Sequence, residues 1–359
     1  MVNNKEIFKI NKWIKILGII LVAQLFIFLL IETFAPQKQK SKKEQQKLWS
    51  KLNKEDINKI IVSGDNNGQN VEFSIQKKDS NWMISYKGQD YPANQDKTNN
   101  YLETLADLNQ GVITSKDNKN LEAFEVDDKK GIDIIIETDA KKYELIIGKA
   151  GVTRGTNYIK LKNENRVRVV KGSLKQDTPV DLQRWLEKKV FAFMDLQSDQ
   201  VATIDINSNM EWFTGNYIIR KVQNQVQNVQ PVQPVQPVQP DAEKKDDEEK
   251  KDEKKDQYII EPDPGFKPDQ DKVSKIISES VSLTCEQYLT EPVNLSDLLG
   301  TYKINTINGT NVEVKVFKSD EESKFIAVSN RNSYNYLISE YKIKEIFKDL
   351  DSIKTEDTQ

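Results

Sequence analysis

The sharpest contrast of apolar and polar positions lies at the start of the chain. From Ile16 to Ile31, fourteen of sixteen residues are aliphatic or aromatic, interrupted only by Gly18 and Gln24. Widened to Trp13 and Phe34, the stretch is 22 residues. At about 1.5 Å per residue a helix of that length crosses a hydrocarbon core of roughly 30 Å. A cleaved signal peptide, the alternative, has an apolar run of about 7–15 residues ahead of small residues at its cleavage site. Here the run is longer and ends in Thr33-Phe34-Ala35-Pro36. The pattern predicts a cytoplasmic tail over 1–12, an uncleaved transmembrane anchor over 13–34 and a polar stalk over 35–56. Lysines flank both ends of the anchor, so charge bias alone does not orient it. A short tail with everything else behind the anchor predicts a single-pass protein of the inner (cytoplasmic) membrane, N-terminus inside and bulk extracytoplasmic.

From Ile57 the period changes to two. Ile57–Ser63 is followed by a Gly-Asp-Asn-Asn-Gly turn, by Val71, Phe73 and Ile75 alternating with polar residues, and by a strand at Trp82. That is a β-meander. A helix follows, capped by Asn94 or Asp96, carrying Tyr101, Leu102, Leu105 and Leu108 and stopped at Gly111. Strands resume at Ile132–Thr138, Tyr143–Gly148, Asn157–Lys162 and Arg166–Val170, and Pro179 opens a helix through Leu182, Trp185, Leu186 and Val190.

The same order then recurs. Val201–Asn207 mirrors Ile57–Ser63, Glu211–Val222 the second strand, and Gln257–Glu261 the Trp82 strand. A Gln-Asp-Lys triplet starts the helix in both halves, at Gln95 and at Gln270. Each half then passes through a short Leu-containing loop (Leu121–Val126; Leu295–Leu299), a run of strands and a closing helix, Ile343–Leu350 in the second. The fold class expected is α+β: two tandem divergent modules of mainly antiparallel sheet with packed helices, over 57–198 and 199–351, with a tail over 352–359.

The second module is interrupted over 223–256. Gln223–Gln239 is built of Val-Gln-Pro repeats, and 241–256 carries nine acids and six lysines. Such sequence cannot bury enough apolar surface to order itself. The internal alignment puts it at the tip of a hairpin, where the first module has the turn Lys77–Asn81. A tolerated expansion and a ligand for a Pro-recognising groove are the two readings of it.

Composition narrows the chemistry. Acids outnumber bases by 56 to 53, which lacks the basic excess of a nucleic-acid binder. Histidine is absent and Cys285 is the single cysteine. These remove imidazole-based nucleophile activation, His-ligated metals and Cys clusters. Gly148-Lys149-Ala150-Gly151 and Gly151–Gly155 lack phosphate-loop spacing and fall between strands. Asp127-Asp128, Asp263, Asp269, Asp271 and Asp65-Asn66-Asn67-Gly68 match no calcium loop. Cys285 late in the second helix, and Trp82, Trp185 and Trp212, read as core. No catalytic, cofactor-binding or metal-binding residue is assigned, no cofactor is expected, and partner-binding residues are unknown.

The order of motifs resembles the DUF 4340 family of bacterial proteins. The residues that carry the resemblance are the I-x-K-I-x-V strand (Ile57–Val62), the lone Trp82, the L-x-x-L-A-D-L helix (Leu102–Leu108), Leu121–Phe124, Tyr143–Gly148, Tyr158–Leu161 and Val167–Val170. It covers about 48–206 well. It implies a membrane-anchored extracytoplasmic protein of the kind often encoded beside ABC-transporter components of the gliding-motility type. The expected function is a non-enzymatic accessory or scaffold protein. Its expected partners are the bilayer, through 13–34, and an ABC-type permease or ATPase or an envelope or motility complex. An envelope glycan- or peptide-binding module using a cleft between the repeats is the alternative, and a carboxylate-only hydrolase a third.

Overall fold

The alternation that begins at Ile57 becomes a ten-residue strand, β1 (Ile57–Asn66), with Ile57, Ile60 and Val62 buried. This is a computed structural model; it describes Gln24 and residues 46–117, 119–222 and 257–355. The predicted anchor over 13–34 lies outside the described residues, Gln24 excepted. Among the described residues no helix is long and apolar enough to cross a membrane. The chain divides into two units between Trp185 and Leu186, and each is mostly antiparallel sheet.

In unit 1, β1 is followed by β2 (Gln69–Lys78), β3 (Asn81–Tyr86), β4 (Gln89–Pro92), α1 (Gln95–Ala106), β5 (Val112–Ser115), the single turn α2 (Leu121–Phe124), β6 (Ile132–Thr138), β7 (Lys142–Ala150), β8 (Thr156–Leu161), β9 (Val167–Lys171) and α3 (Leu174–Asp177). The sheet order is β4-β3-β2-β1-β6-β7-β8-β9-β5. Unit 2 contains β10 (Val201–Met210), β11 (Phe213–Lys221), β12 (Tyr258–Glu261), α4 (Gln270–Val281), β13 (Gln287–Leu289), β14 (Leu298–Thr306), β15 (Asn311–Lys318), β16 (Lys324–Ser329), β17 (Asn335–Ser339) and α5 (Glu340–Ile346). Its order, β12-β11-β10-β14-β15-β16-β17-β13, is the same plan without an equivalent of β4. The agreement reaches single residues. β1 slips against β6 between Ile57 and Lys59, and β10 slips against β14 between Val201 and Thr203.

The shared Gln-Asp-Lys triplet explains why both helices start where they do. Asn94 caps α1 by accepting from the Lys97 N–H at 2.9 Å, and Asp269 caps α4 by accepting from the Asp271 and Lys272 N–H groups. The next residue reaches sideways. Gln95 Oε1 accepts from the Trp82 N–H and its Nε2 donates to the Trp82 carbonyl, at 2.9 and 3.0 Å. Gln270 does the same to Tyr258, at 2.7 and 3.0 Å. The lysine ties in the segment that closes each unit: Lys97 Nζ donates to the Arg184 carbonyl at 2.6 Å, and Lys272 Nζ to the Lys354 carbonyl at 3.3 Å. The capping residues' own N–H groups donate to Trp185 and Ile353. Strand, helix start and closing segment are therefore held at one point in each unit.

The apolar stripe of each helix lies on the sheet. Tyr101, Leu102 and Leu105 of α1 are buried, as are Val273, Ile276 and Ile277 of α4. Trp185 is fully buried, edge-on to Tyr101 at 4.9 Å, and its Nε1 donates to the Pro179 carbonyl. In unit 2, Gly300 leaves room for Phe347, which a Cβ there would strike.

Several expectations are corrected. Beyond Pro179 only a 3-10 turn forms, Leu182–Arg184. Further on, the backbone of Lys188 and Val190 pairs with Cys285 and Leu283 instead, so tertiary pairing overrides the helical spacing. α1 ends at Ala106; Gly111 is kept for another reason, since at φ 62 a Cβ would collide with the Val169 carbonyl. Cys285 lies past α4, in the turn before β13. The closing helix is α5, three residues earlier than its predicted start. The short strands β4, β5 and β13 escaped the pattern, and Leu298 begins a strand.

β11 pairs with β12 from Lys221 opposite Tyr258, and the Val222 N–H donates to the Gln257 carbonyl at 2.8 Å. Both ends of 223–256 thus close on a completed hairpin. Replacing 223–256 with an Asn-Gly turn is expected to move the thermal midpoint by less than about 2 °C, under about 1 kcal/mol for a unit of this size. A fall of about 10 °C or more contradicts it. Gln95→Ala leaves the Trp82 N–H without that acceptor and is expected to cost about 1–3 kcal/mol in denaturant unfolding. A value near zero contradicts the clamp.

Candidate functional site

The residues first suspected of chemistry are built into turns and packing. Gly148 lies inside β7 rather than in a phosphate loop. Asp65 accepts from the Gly68 N–H, Asp127 from those of Lys129 and Lys130, Asp263 from that of Gly265, and Asp269 caps a helix. Each short carboxylate satisfies its own turn. Asp271 is exposed in the first turn of α4. Among the described residues no group of three or more Asp, Glu, Cys or His is placed to hold a metal. Burial pushes the Cys285 thiol up to about 11; a thiol that stays protonated is a poor nucleophile. Lys97 is shifted down by burial and then by the Arg184 charge. Its ammonium lies 4.6 Å over the Trp185 ring and bonds a backbone carbonyl, so that shift has a structural cause. Glu345, shifted down by its bond to Lys275, links α5 to α4 at 2.7 Å.

What remains is surface shape, and here the two units differ. In unit 1 the sheet face opposite α1 is covered by α2 and the residues after it. Val126, Ile146, Tyr158 and Val167 form a buried cluster, with Leu121, Phe124 and Val169 packed against it. The Phe124 and Tyr158 rings lie 4.8 Å apart. Gly131 and Gly148 permit this approach: a Cβ at Gly148 would collide with the Phe124 carbonyl, and one at Gly131 with Ile146. Asn120 and Glu125, both left-handed at φ 70 and φ 55, bracket the turn. Lys175 pairs with Glu125 at 2.7 Å and Lys130 with Glu122 at 3.6 Å.

In unit 2 the strand register puts Ile326 opposite Leu337, as Tyr158 is opposite Val169 in unit 1. The connection over this face is eight residues, 290–297, where unit 1 has sixteen, 116–131, and it contains no helical turn. It leaves a cleft of about 430 Å³. Leu289, Pro292 and Val293 line it with Ile326 and Leu337, and Asp297, Lys318, Asp320 and Glu321 also contribute. Leu295 stands exposed on the same connection at 41%, and Leu298, the first residue of β14, at 46%. Across the loop 319–323 lies a second cleft of about 300 Å³, containing Trp212 and Phe325. Trp212 is therefore not a core residue: it is half-buried, edge-on to Phe325 at 5.8 Å, with Lys344 Nζ 4.9 Å over its ring and its Nε1 bonded to the Phe347 carbonyl. Trp82 is buried as expected.

The profile of the family described as Domain of unknown function (DUF4340) matches residues 82–298, more than half of the chain. The chain belongs to the DUF4340 family. The motifs behind the resemblance lie within 48–206, whereas the match opens at Trp82 in β3 and closes at Leu298, the first residue of β14. It therefore takes in parts of both units. No curated protein and no solved structure matches this DUF4340 chain.

Nothing in the sequence pattern pointed to the unit 2 clefts. The one available signal was the mismatch in length between the two connections. Gly148→Ala tests the covered face of unit 1. Its backbone accepts alanine, so the effect comes from α2 being pushed off the sheet. The expected cost is about 1–3 kcal/mol, with new protease cleavage confined to 117–130. Unchanged stability and cleavage contradict the close approach.

Proposed function

We propose that this DUF4340 protein is a non-enzymatic accessory or scaffold protein. It is anchored in the cytoplasmic membrane through 13–34, carries its sheet units on the extracytoplasmic side, and associates with an ABC-type transporter or an envelope or motility complex. The observation that carries the reading is the coupling of a bilayer-length apolar stretch to two sheet units of one plan. Repetition of a framework supplies surface, and the units diverge where surface is made: over the face opposite the helix and in the insertion. The kind of genomic setting implied by the family resemblance supports a transporter as the partner.

The test is a mild-detergent pull-down of the tagged full-length protein from native membranes, read by quantitative mass spectrometry. Stoichiometric recovery of an ABC-type permease or ATPase is expected. Recovery of the chain alone, or with soluble envelope ligands only, counts against the reading.

A further inference from the structure

We infer that one end of the unit 1 sheet rests on the surface of an anionic lipid bilayer, the membrane that the predicted anchor enters. That end is the β7–β8 turn with the adjoining ends of β9 and β5. The inference rests on the anchored reading above and says which part of unit 1 faces the membrane. Three exposed large apolar side chains are described in unit 1, Val112, Ile113 and Val152, and all three belong to this region. Val152, 96% exposed, stands in the β7–β8 turn. Val112 begins β5 opposite Val169 of β9, and Lys171, the last residue of β9, lies opposite Thr156 at the foot of that turn. The turn is fixed by its backbone: the Gly151 N–H donates to the Thr156 carbonyl, and the Gly172 N–H to the Gly155 carbonyl. Val152 is therefore presented with little ordering left to be done on contact.

The charge around it has one sign. The segments 108–113, 149–156 and 170–173 carry three cations, Lys149, Arg154 and Lys171, and no acid. All three are exposed, and none has an ion-pair partner among the described residues. The turns at the opposite end of the same sheet each carry an acid: Asp79, Asp139 and Glu164. The framework does not demand the difference. In unit 2 the equivalent turn, between β15 and β16, has Asp320, Glu321 and Glu322. Exposed apolar side chains among unpaired cations are the combination that holds a surface on anionic headgroups.

The chain also brings the bilayer within reach. The Gln46 carbonyl accepts from the Gln110 N–H, and Lys47 pairs with Asn109 in the antiparallel sense. From Leu48 back to Gln46 the chain thus runs towards Gly111, which packs against Val169 and Val170, next to Lys171. Eleven residues, 35–45, separate Gln46 from the end of the predicted anchor at Phe34. Fully extended they span roughly 40 Å at most. They include Lys38, Lys40, Lys42 and Lys43 against one acid, Glu44.

The test uses the full-length chain reconstituted into vesicles. Cys285 is buried, so a thiol-reactive nitrobenzoxadiazole dye goes to an introduced cysteine. One is placed by Val152→Cys and, as the control, one by Ala140→Cys, exposed in the turn at the opposite end of β7. Quenching of the dye by doxyl-labelled lipid is read in phosphatidylcholine vesicles with and without phosphatidylglycerol. With about 30% phosphatidylglycerol, quenching at position 152 is expected to be about threefold that at position 140. It is expected to fall to the position 140 value in phosphatidylcholine alone, and on adding Lys149→Glu with Arg154→Glu. Three results overturn the inference: no quenching at position 152, equal quenching at both positions, or quenching at 152 indifferent to both lipid charge and the charge reversal. A chain that does not float with the vesicles overturns the anchor and this inference together. A chain that floats and recovers a transporter in the pull-down, yet stays unquenched at position 152, sinks the membrane-facing end and leaves the scaffold reading standing.

Discussion

A short cluster at the start of each helix, the cap, the glutamine after it and the lysine two residues on, joins the helix to a strand and to the segment that closes the unit. Gln95 takes both backbone groups of Trp82, and the residues on either side of it hold the helix cap and the closing segment near Arg184 and Trp185. Gln270 repeats this with Tyr258, while the Asp269 N–H and Lys272 Nζ donate to the carbonyls of Ile353 and Lys354. The outer edge of a strand exposes unpaired N–H and C=O groups, which proteins must cover or blunt. In unit 2, where β12 is the edge strand, the helix that covers the sheet also covers that edge; in unit 1, β4 lies outside β3 and the Ala93 N–H shares the Trp82 carbonyl. The helix cannot shift along the sheet without breaking two hydrogen bonds to buried backbone, so the clamp sets the register of α1 and α4 on the face they bury.

From that fixed point the rest of each unit follows. β1 with β2 and β3 forms a local hairpin system, and β6 to β9 forms a second one. The pairing of β1 with β6 joins them, and that of β10 with β14 does so in unit 2. Such non-local pairing pays its loop-closure entropy before the contact forms. The apolar stripes of α1 and α4, anchored by the clamp, give the joined sheet a face to bury. The opposite face is left free to vary, and it is there that α2 covers one unit and a cleft opens in the other.

Much of this plan was legible in the sequence. The period-two runs gave the long strands, and the Gln-Asp-Lys triplet marked equivalent positions in two halves whose other residues differ widely. Three things were not legible. Edge strands of three or four residues, such as β13, carry too few positions to show a period. The segment after Pro179 has helical spacing but pairs instead, at Lys188 and Val190, with residues near Cys285, a contact nearly one hundred positions away. The loops Leu121–Val126 and Leu295–Leu299 look alike in composition, yet one packs as a helical turn and the other runs extended into β14. The difference is made by Gly131 and Gly148, which admit the turn, and single glycines inside strands do not announce what lies above them.

The central claim is that two units share one framework and differ in the cover of one face. Hydrogen exchange of the full-length chain, resolved by residue, tests it most directly. The amides of Trp82 and Tyr258 should exchange as slowly as the central strands, held by the two glutamines. Residues 121–126 should be protected with the sheet beneath them, while 290–297 exchange at once. Equal protection of the two connections, or fast exchange at Trp82 and Tyr258, contradicts the account.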